Sequence, residues 1–362
     1  MKQMSSCFKN NISLSVFGES HQETMGIIIE GIPAGTTLDF DFIDHELMRR
    51  KPLDEISTPR KEKDSYEVVS GYFNQKTTGS PLCILVQNKN FDSKDYPPFL
   101  IRPSHVDYVT FKKYNGFFDY RGSGHLSGRL TVLFVIAGAI FKQLLAKQNI
   151  TIASHILQIQ DLKDDSFKQE KLEEQIKELA NQSFPVINLE TKKQMIQRIK
   201  EIAKQKDSIG GIVQTIIHSV PVGVGEPLFD SLESHLSRLI FSIPAIKGIS
   251  FGLGFDFALY PGSQVNDRFS IKKEMVFTKT NHNGGINGGI SNGMPILFDC
   301  VVKPTPSIGI PQETIDVQNK KNTTIAIQGK HDPAIISRIA VVIESMSAIA
   351  IFDLLLEKNK RG

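Results

Sequence analysis

The chain has 362 residues and is 40% apolar, enough to bury one large core or two medium ones, so a small module is excluded. Its 42 Lys and Arg stand against 39 Asp and Glu with no basic run, which argues against a polyanion-binding tail and a nucleic-acid partner. The N-terminus MKQMSSCFKN has no apolar segment behind its lysine, and the longest apolar stretch, Val132 to Ile140, falls short of the ~20 residues of a membrane helix, so a cytoplasmic protein without membrane contact is expected.

In chain order, short apolar runs rich in β-branched residues predict strands at Ile12 to Phe17, Gly26 to Ile32, Tyr66 to Val69, Leu82 to Val86, Ile150 to Ile156, Gly211 to Ser219 and Ile296 to Val302. Helical patterns cover Ser127 to Lys147, Lys168 to Gln182, Thr191 to Lys206, Ser231 to Phe241 and Pro333 to Glu357. Strands come both clustered and interleaved with helices, so the expected class is α+β, with helices packed on mostly antiparallel sheets. The Ser127 helix is apolar almost all round and predicts a buried central element, whereas Leu162 to Lys206 is amphipathic and peripheral. Asn88 to Leu100 and Gln312 to Thr324 look like exposed loops, and no boundary splits the chain, which leaves one domain over 1–362.

Cys7, Cys83 and Cys300 are far apart with no ligand spacing, so neither a disulfide framework nor a metal site is expected. GxGxxG, GxxxxGK[ST], GxSxG and HExxH are all absent, which disfavours Rossmann, P-loop, serine hydrolase and zinc protease chemistry. What stands out instead is a series of Gly-bounded polar clusters around His21, Arg102 to His105, Arg121 to Arg129, Asn281 to Gly289, Lys303 to Ser307 and Gly329 to Pro333. Glycine lets backbone approach a ligand and Arg or Lys suits anionic oxygens, so the shared theme is a small polyanion.

Ser127 is placed to cap the buried helix, whose N-terminus attracts negative charge. Arg129, two residues further on, demands an anion partner in an apolar setting; it is read as facing a bound anion and not as a member of a structural pair. His21, His105 and His331 sit in turn-like clusters beside Ser, Arg or Asp, where neighbouring charges can tune proton transfer.

In order along the chain, GESH with GIIIEGIPAG, RPSHVDY, DYRGSGHLSGRLT, KDSIGG, GVGEPLFD, NHNGGINGGIS, KPTPSI and GKHDPAIISRIAVVIESMSA resemble the signature segments of the chorismate synthase family. That resemblance implies a lyase of the shikimate pathway. It would convert 5-enolpyruvylshikimate 3-phosphate to chorismate and phosphate by a 1,4-anti elimination, the last common step of aromatic amino acid biosynthesis. The reaction needs reduced FMN without net oxidation. The resemblance also implies two β-sheets enclosing a helical core, a homotetramer, and either NADPH-dependent reduction of its own flavin or a separate flavin reductase.

Carried over by motif, the resemblance makes His21, His105 and Asp332 catalytic. Substrate anions fall to Arg50, Arg60, Arg102, Arg129 and Lys330. FMN falls to His125, Leu126, Ser127, Ala245, Gly288, Lys303, Pro304, Thr305, Pro306, Ser307 and again Lys330. Departures from the family pattern are Gln22 in place of a glycine, Pro244 where many members have a flavin-contacting asparagine, Lys330 for an arginine, and Leu53 to Thr58, which lacks a common arginine. The rival readings are a flavoprotein oxidoreductase and a diverged flavin- or phosphate-binding homologue without lyase activity.

Overall fold

The computed structural model describes residues 6–52, 56, 64–88, 99–327 and 332–361. They form two compact units, each assembled from separate stretches of chain. The first takes Met1–Ala137, Lys193–Gly210 and Pro304–Ile335, the second Gly138–Lys192, Gly211–Lys303 and Ile336–Gly362.

The first unit is organised by a five-stranded antiparallel sheet in the order Cys7–Lys9, Ser13–Gly18, Thr24–Glu30, Leu82–Gln87, Tyr66–Ser70. Its register pairs Met25 with Val86, Ile27 with Ile84 and Ile29 with Leu82. All six side chains are buried, so alternate positions of the two central strands supply one apolar face. Gly18 ends its strand at φ +98°, and a Cβ there would meet the Met25 backbone at 2.5 Å; this tight exit delivers Glu19 to His21 to the sheet edge. The helix Phe40–Arg49 starts where the Asp39 carboxylate accepts from the Phe42 N–H, and Arg50 is its C-cap.

Gln312 to Thr324, expected as a loop, is an antiparallel hairpin of Gln312–Asp316 and Lys321–Ile325. Its side chains are mostly polar, so apolar alternation is muted. Backbone pairing carries it instead: the Asp316 carboxylate accepts from the N–H of Gln318 and Asn319 to close the turn, and Leu100 bridges to Asp316.

The second unit holds another five-stranded antiparallel sheet, ordered Ile246–Phe251, Ile296–Val302, Gly211–His218, Thr151–Ile159, Leu162–Lys163. The helix Ile336–Arg361 packs on its Thr151–Ile159 and Gly211–His218 strands, and Leu232–Ile240 packs on that helix. Ala153 and Ile216, cross-strand partners on the other face, meet Leu172, Ile176 and Leu179 of the helix Leu172–Ala180. Every predicted strand and helix is present. The Ser127 helix, however, begins as a 3-10 turn, Gly128–Leu130, and becomes α-helical only over Thr131–Ala146.

Two segments, Arg121–Ala146 and Ile336–Lys360, have the length and hydropathy of membrane spans, but 78% and 94% of their most apolar windows are buried inside the protein. The second of them carries Glu344 and Asp353 at 0% exposure. Glu344 is compensated by Lys142 Nζ at 2.5 Å and the Ser154 N–H at 2.9 Å, and Asp353 lies 3.1 Å from His235 Nε2. Gly138 lets two helices meet, since a Cβ there would lie 2.2 Å from Ser345 Cβ and 2.4 Å from its Cα. Gly138→Ala is therefore expected to destabilise the fold by about 1–3 kcal/mol despite alanine's better helix propensity, read by chemical denaturation. Unchanged or raised stability would show that the helices part at no cost.

Candidate active site

The geometry of the first unit begins with two loops zipped together. The Ser20 N–H donates to the Gly124 carbonyl at 3.2 Å, and the Ser20 hydroxyl reaches the Arg121 and Gly122 carbonyls at 3.2 and 2.9 Å. Gly122, at φ +54°, lies against the His21 ring, where a Cβ would stand 2.4 Å from Nε2. Glycine is required there on both counts. Next to it Ser123 adopts φ +73°, a strained value for a residue with a side chain, and its hydroxyl lies 3.1 Å from His105 Nε2. Gly122 and Ser123 thus stand between the two histidines that the motifs single out.

His105 is held at its other nitrogen as well, with Nδ1 2.7 Å from Asp107 Oδ1. The same carboxylate takes a two-pronged bond from Arg102, whose Nε and Nη2 donate at 2.8 Å each, while Arg102 Nη1 reaches the Ser307 hydroxyl at 3.3 Å. Burial would raise the Asp107 carboxyl, but the bonds from Arg102 and His105 hold it well below the usual carboxylate range.

A second cluster surrounds Arg129. Its Nε donates to Asn88 Oδ1 at 3.1 Å, and Nη1 pairs with the Asp64 carboxylate. Arg50 gives Nη1 to the other Asp64 oxygen at 3.2 Å and caps the 3-10 turn through the Gly128 and Arg129 carbonyls at 3.2 Å. Arg129 is therefore a member of a structural pair, contrary to its reading from sequence, because the interior needs a counterion for it. The pair does not exhaust it: Nη2 is buried with no hydrogen-bond partner among the described residues. Burial tends to raise the Asp64 carboxyl, yet Arg50 and Arg129 outweigh that and lower it.

Ser127 accepts from the Arg129 N–H at 3.3 Å, the capping role read from sequence. His125 spends both ring nitrogens inside the chain, on the Gly18 carbonyl at 2.8 Å and the Ser6 hydroxyl at 2.9 Å. A ligand would meet its backbone, and that of half-exposed Leu126, in preference to the ring. Gln22 needs no positive φ; its amide bonds Asp119 at 3.3 Å, and Asn88 ties the Glu19 and Gln22 carbonyls to Arg129. The Thr305 hydroxyl donates to the Asp332 carbonyl at 3.0 Å, and Pro304 to Ser307 belong to this unit.

Ala245, Gly288 and Lys303 belong to the second unit, where the Lys303 N–H donates to the Ala245 carbonyl at 3.0 Å. Ala245 follows Pro244 at φ +75°, Gly288 has φ +61° with open space where a Cβ would point, and burial, aided by Lys247, lowers the Lys303 amine. Arg60, Lys330, His331 and most of Leu53 to Thr58 lie outside the described residues.

The family model described as chorismate synthase matches residues 12–356. The chain belongs to the chorismate synthase family. Chorismate synthase of Dehalococcoides mccartyi strain BAV1 is 40% identical over 356 residues, spanning 98% of this chain and 97% of that protein. Its counterpart from Methanobrevibacter smithii is 43% identical over 344 residues, spanning 94% and 93%. A crystal structure of chorismate synthase matches the whole fold with a TM-score of 0.74 at 29% identity, covering 96% of this chain and 92% of that one. The chain is thus a lyase with the α+β fold of that family.

Chorismate synthases use a reduced flavin, and the residues present suit its phosphate and that of a phosphorylated substrate. Among the described residues Arg129 Nη2 is a buried donor without a partner, Arg50 and Arg129 both bond Asp64, and Gly128 leaves open space at the helix start. Sequence reasoning missed Asp64, Asn88, Asp107 and Ser123 as supports. Asp107 and Ser123 lie within quoted motifs; Asp64, 65 positions from Arg129, gave no signal.

Removing the Asp64 charge leaves two buried guanidiniums without their counterion, so Asp64→Asn should cost about 3–5 kcal/mol at neutral pH. Because the folded carboxyl titrates below its unfolded value, this stabilisation is present above about pH 4 and is lost as pH falls through the folded value. The stability gap between wild type and Asp64→Asn, followed by urea denaturation, should therefore close below about pH 4. A gap independent of pH would mean that the carboxylate's charge is not what holds the cluster.

Proposed function

We propose that this chain converts 5-enolpyruvylshikimate 3-phosphate to chorismate and inorganic phosphate by 1,4-anti elimination, with reduced FMN as a cofactor that is not consumed. The observation that carries this reading is the placement of His21 and His105 on either side of Gly122 and Ser123, in the same unit as a buried guanidinium with a donor unused among the described residues. When bound, reduced FMN supplies electron density as the carbon–oxygen bond to phosphate breaks.

On this reading the chain's own residues hold anions and move protons. Arg129 Nη2 donates to an anionic oxygen of the substrate, and Arg50 and Arg102 add positive charge from their bonded positions. His21 gives a proton to the departing phosphate, His105 offsets negative charge at the flavin ring, and Asp332 accepts the proton removed from substrate by way of the flavin. FMN binding is assigned by motif to the Ser127 helix start and Pro304 to Ser307 in the first unit, and by motif alone to Ala245, Gly288 and Lys303 in the second. We place the protein in the cytoplasm, as a single domain assembled into a homotetramer. Reduced flavin comes from a separate reductase, since Lys330 and the acidic Asp54 and Glu55 disfavour a second phosphorylated dinucleotide such as NADPH.

The test is anaerobic incubation of the full chain with substrate and dithionite-reduced FMN, reading chorismate absorbance and free phosphate together. Equal amounts of both, with no net consumption of reductant, are expected. Chorismate formed without flavin, or a molar equivalent of reductant consumed, would remove this reading. Asp332→Asn can still cap a turn but cannot take a proton, so its single-turnover rate should fall about 10²–10⁴-fold, close to that of Asp332→Ala at matched FMN saturation. A fully active asparagine variant takes Asp332 out of the mechanism.

A further inference from the structure

We propose that Asp107 is a positioning residue of the lyase site, fixing the proton of His105 on Nδ1 and holding the Arg102 fork on the same carboxylate. The inference rests on the roles proposed above for His105 and Arg102, and deepens them.

The Asp107 carboxylate accepts four bonds within its own turn. Oδ1 takes His105 Nδ1 at 2.7 Å and Arg102 Nη2 at 2.8 Å; Oδ2 takes Arg102 Nε at 2.8 Å and the Arg102 N–H at 3.1 Å. An ionised carboxylate only accepts, so the hydrogen of that 2.7 Å contact belongs to His105 Nδ1. The depressed carboxyl keeps Asp107 ionised throughout the neutral range. With the proton on Nδ1, Nε2 is directed at Ser123, whose hydroxyl stands 3.1 Å away on a strained backbone.

Helix support does not account for Asp107. It opens the helix Asp107–Lys113, preceded by Val106, whose N-cap position has no side-chain bond, so an acidic residue here could have capped the first turn. Its oxygens turn back instead to Arg102 and His105. Arg102 and His105 are also the groups whose bonds outweigh burial and hold its carboxyl down.

The first measurement is 15N NMR of histidine-labelled protein with no ligand, which needs no activity. Wild-type His105 should show the Nδ1–H form. In Asp107→Asn the amide oxygen is drawn to the Oδ2 position, where both donors are obligatory N–H groups of Arg102, whereas the imidazole nitrogen facing Oδ1 can become an acceptor; this turns the NH₂ toward Nδ1 and should switch His105 to the Nε2–H form. The second measurement is kinetic. Asp107→Asn should lower kcat about 10²–10⁴-fold and raise KM through Arg102, yet in a His105→Ala background it should leave kcat unchanged and still raise KM.

A wild-type Nε2–H form would overturn the proposal even if every variant failed to fold. So would kcat retained within about twofold in Asp107→Asn, or losses that multiply in the double variant. If wild type makes no chorismate while the tautomer switch is seen, the proposed function fails and the positioning of His105 stands.

Discussion

Two guanidiniums held inside the protein by one carboxylate organise the rest of the site. Arg50 and Arg129 both lean on Asp64, and a buried ion is tolerated only when its charge and its hydrogen-bonding capacity are met. Arg50 meets its share through backbone carbonyls of the 3-10 turn and the Thr131 hydroxyl at 3.1 Å, so it also fixes where the apolar helix begins. Among the described residues Arg129 stays one bond short, and an anionic oxygen would satisfy its Nη2. The Asn88 bridge extends the same constraint to the Glu19 and Gln22 turn, so the loop bearing His21 is set by the arrangement that leaves Nη2 open.

How much of this could be read from the sequence follows from the range of each interaction. Strands such as Ile296–Val302 and helices such as Leu232–Ile240 are local patterns of apolar spacing and capping, and they appear where periodicity places them. The Gln312–Asp316 hairpin escaped because its side chains are polar and its backbone pairing has no compositional signature. Arg129 was legible as a cation in need of an anion, since it stands beside an apolar helix. Its partner Asp64 was not, because nothing across a separation of 65 positions marks which of many carboxylates will fold against it. Gln22 taught a related lesson. A residue that departs from a glycine pattern fits its turn without backbone strain, because the turn takes an ordinary φ and the longer side chain finds Asp119.

The two units use close packing differently, and this explains why polar residues in the most apolar segments do not weaken them. In the second unit the Ile336–Arg361 helix is buried on nearly every side, so Ser345 and Ser347 bond their own helix carbonyls, at Val341 and Ile343, and Glu344 binds Lys142 and a strand N–H. Small residues bring helices close, as Gly138 does at Ser345, and dispersion contacts grow with that approach. In the first unit closeness serves a different end. Glycine at position 122 brings backbone against the His21 ring.

The strain at Ser123 is the remaining step. A side chain at φ +73° costs on the order of 1 kcal/mol or more and persists only where neighbours over-determine it. Here the neighbours are identifiable. Gly122 is pinned by His21 and by the Ser20 hydroxyl, and the following Gly124 carbonyl is held by the Ser20 N–H, so the peptide between them has little freedom. Ser123 is then carried to His105 by its flanking glycines and not by its own preference. A hydroxyl placed this way meets a nitrogen whose partner ring atom is already fixed by Asp107, so both ends of the imidazole are specified before any ligand arrives. Catalytic groups that act on protons gain most from such preorganisation, because no bond need be remade when charge develops. The backbone strain and the buried ion cluster thus serve one requirement, a site whose donors are fixed in advance while one of them has no partner among the described residues.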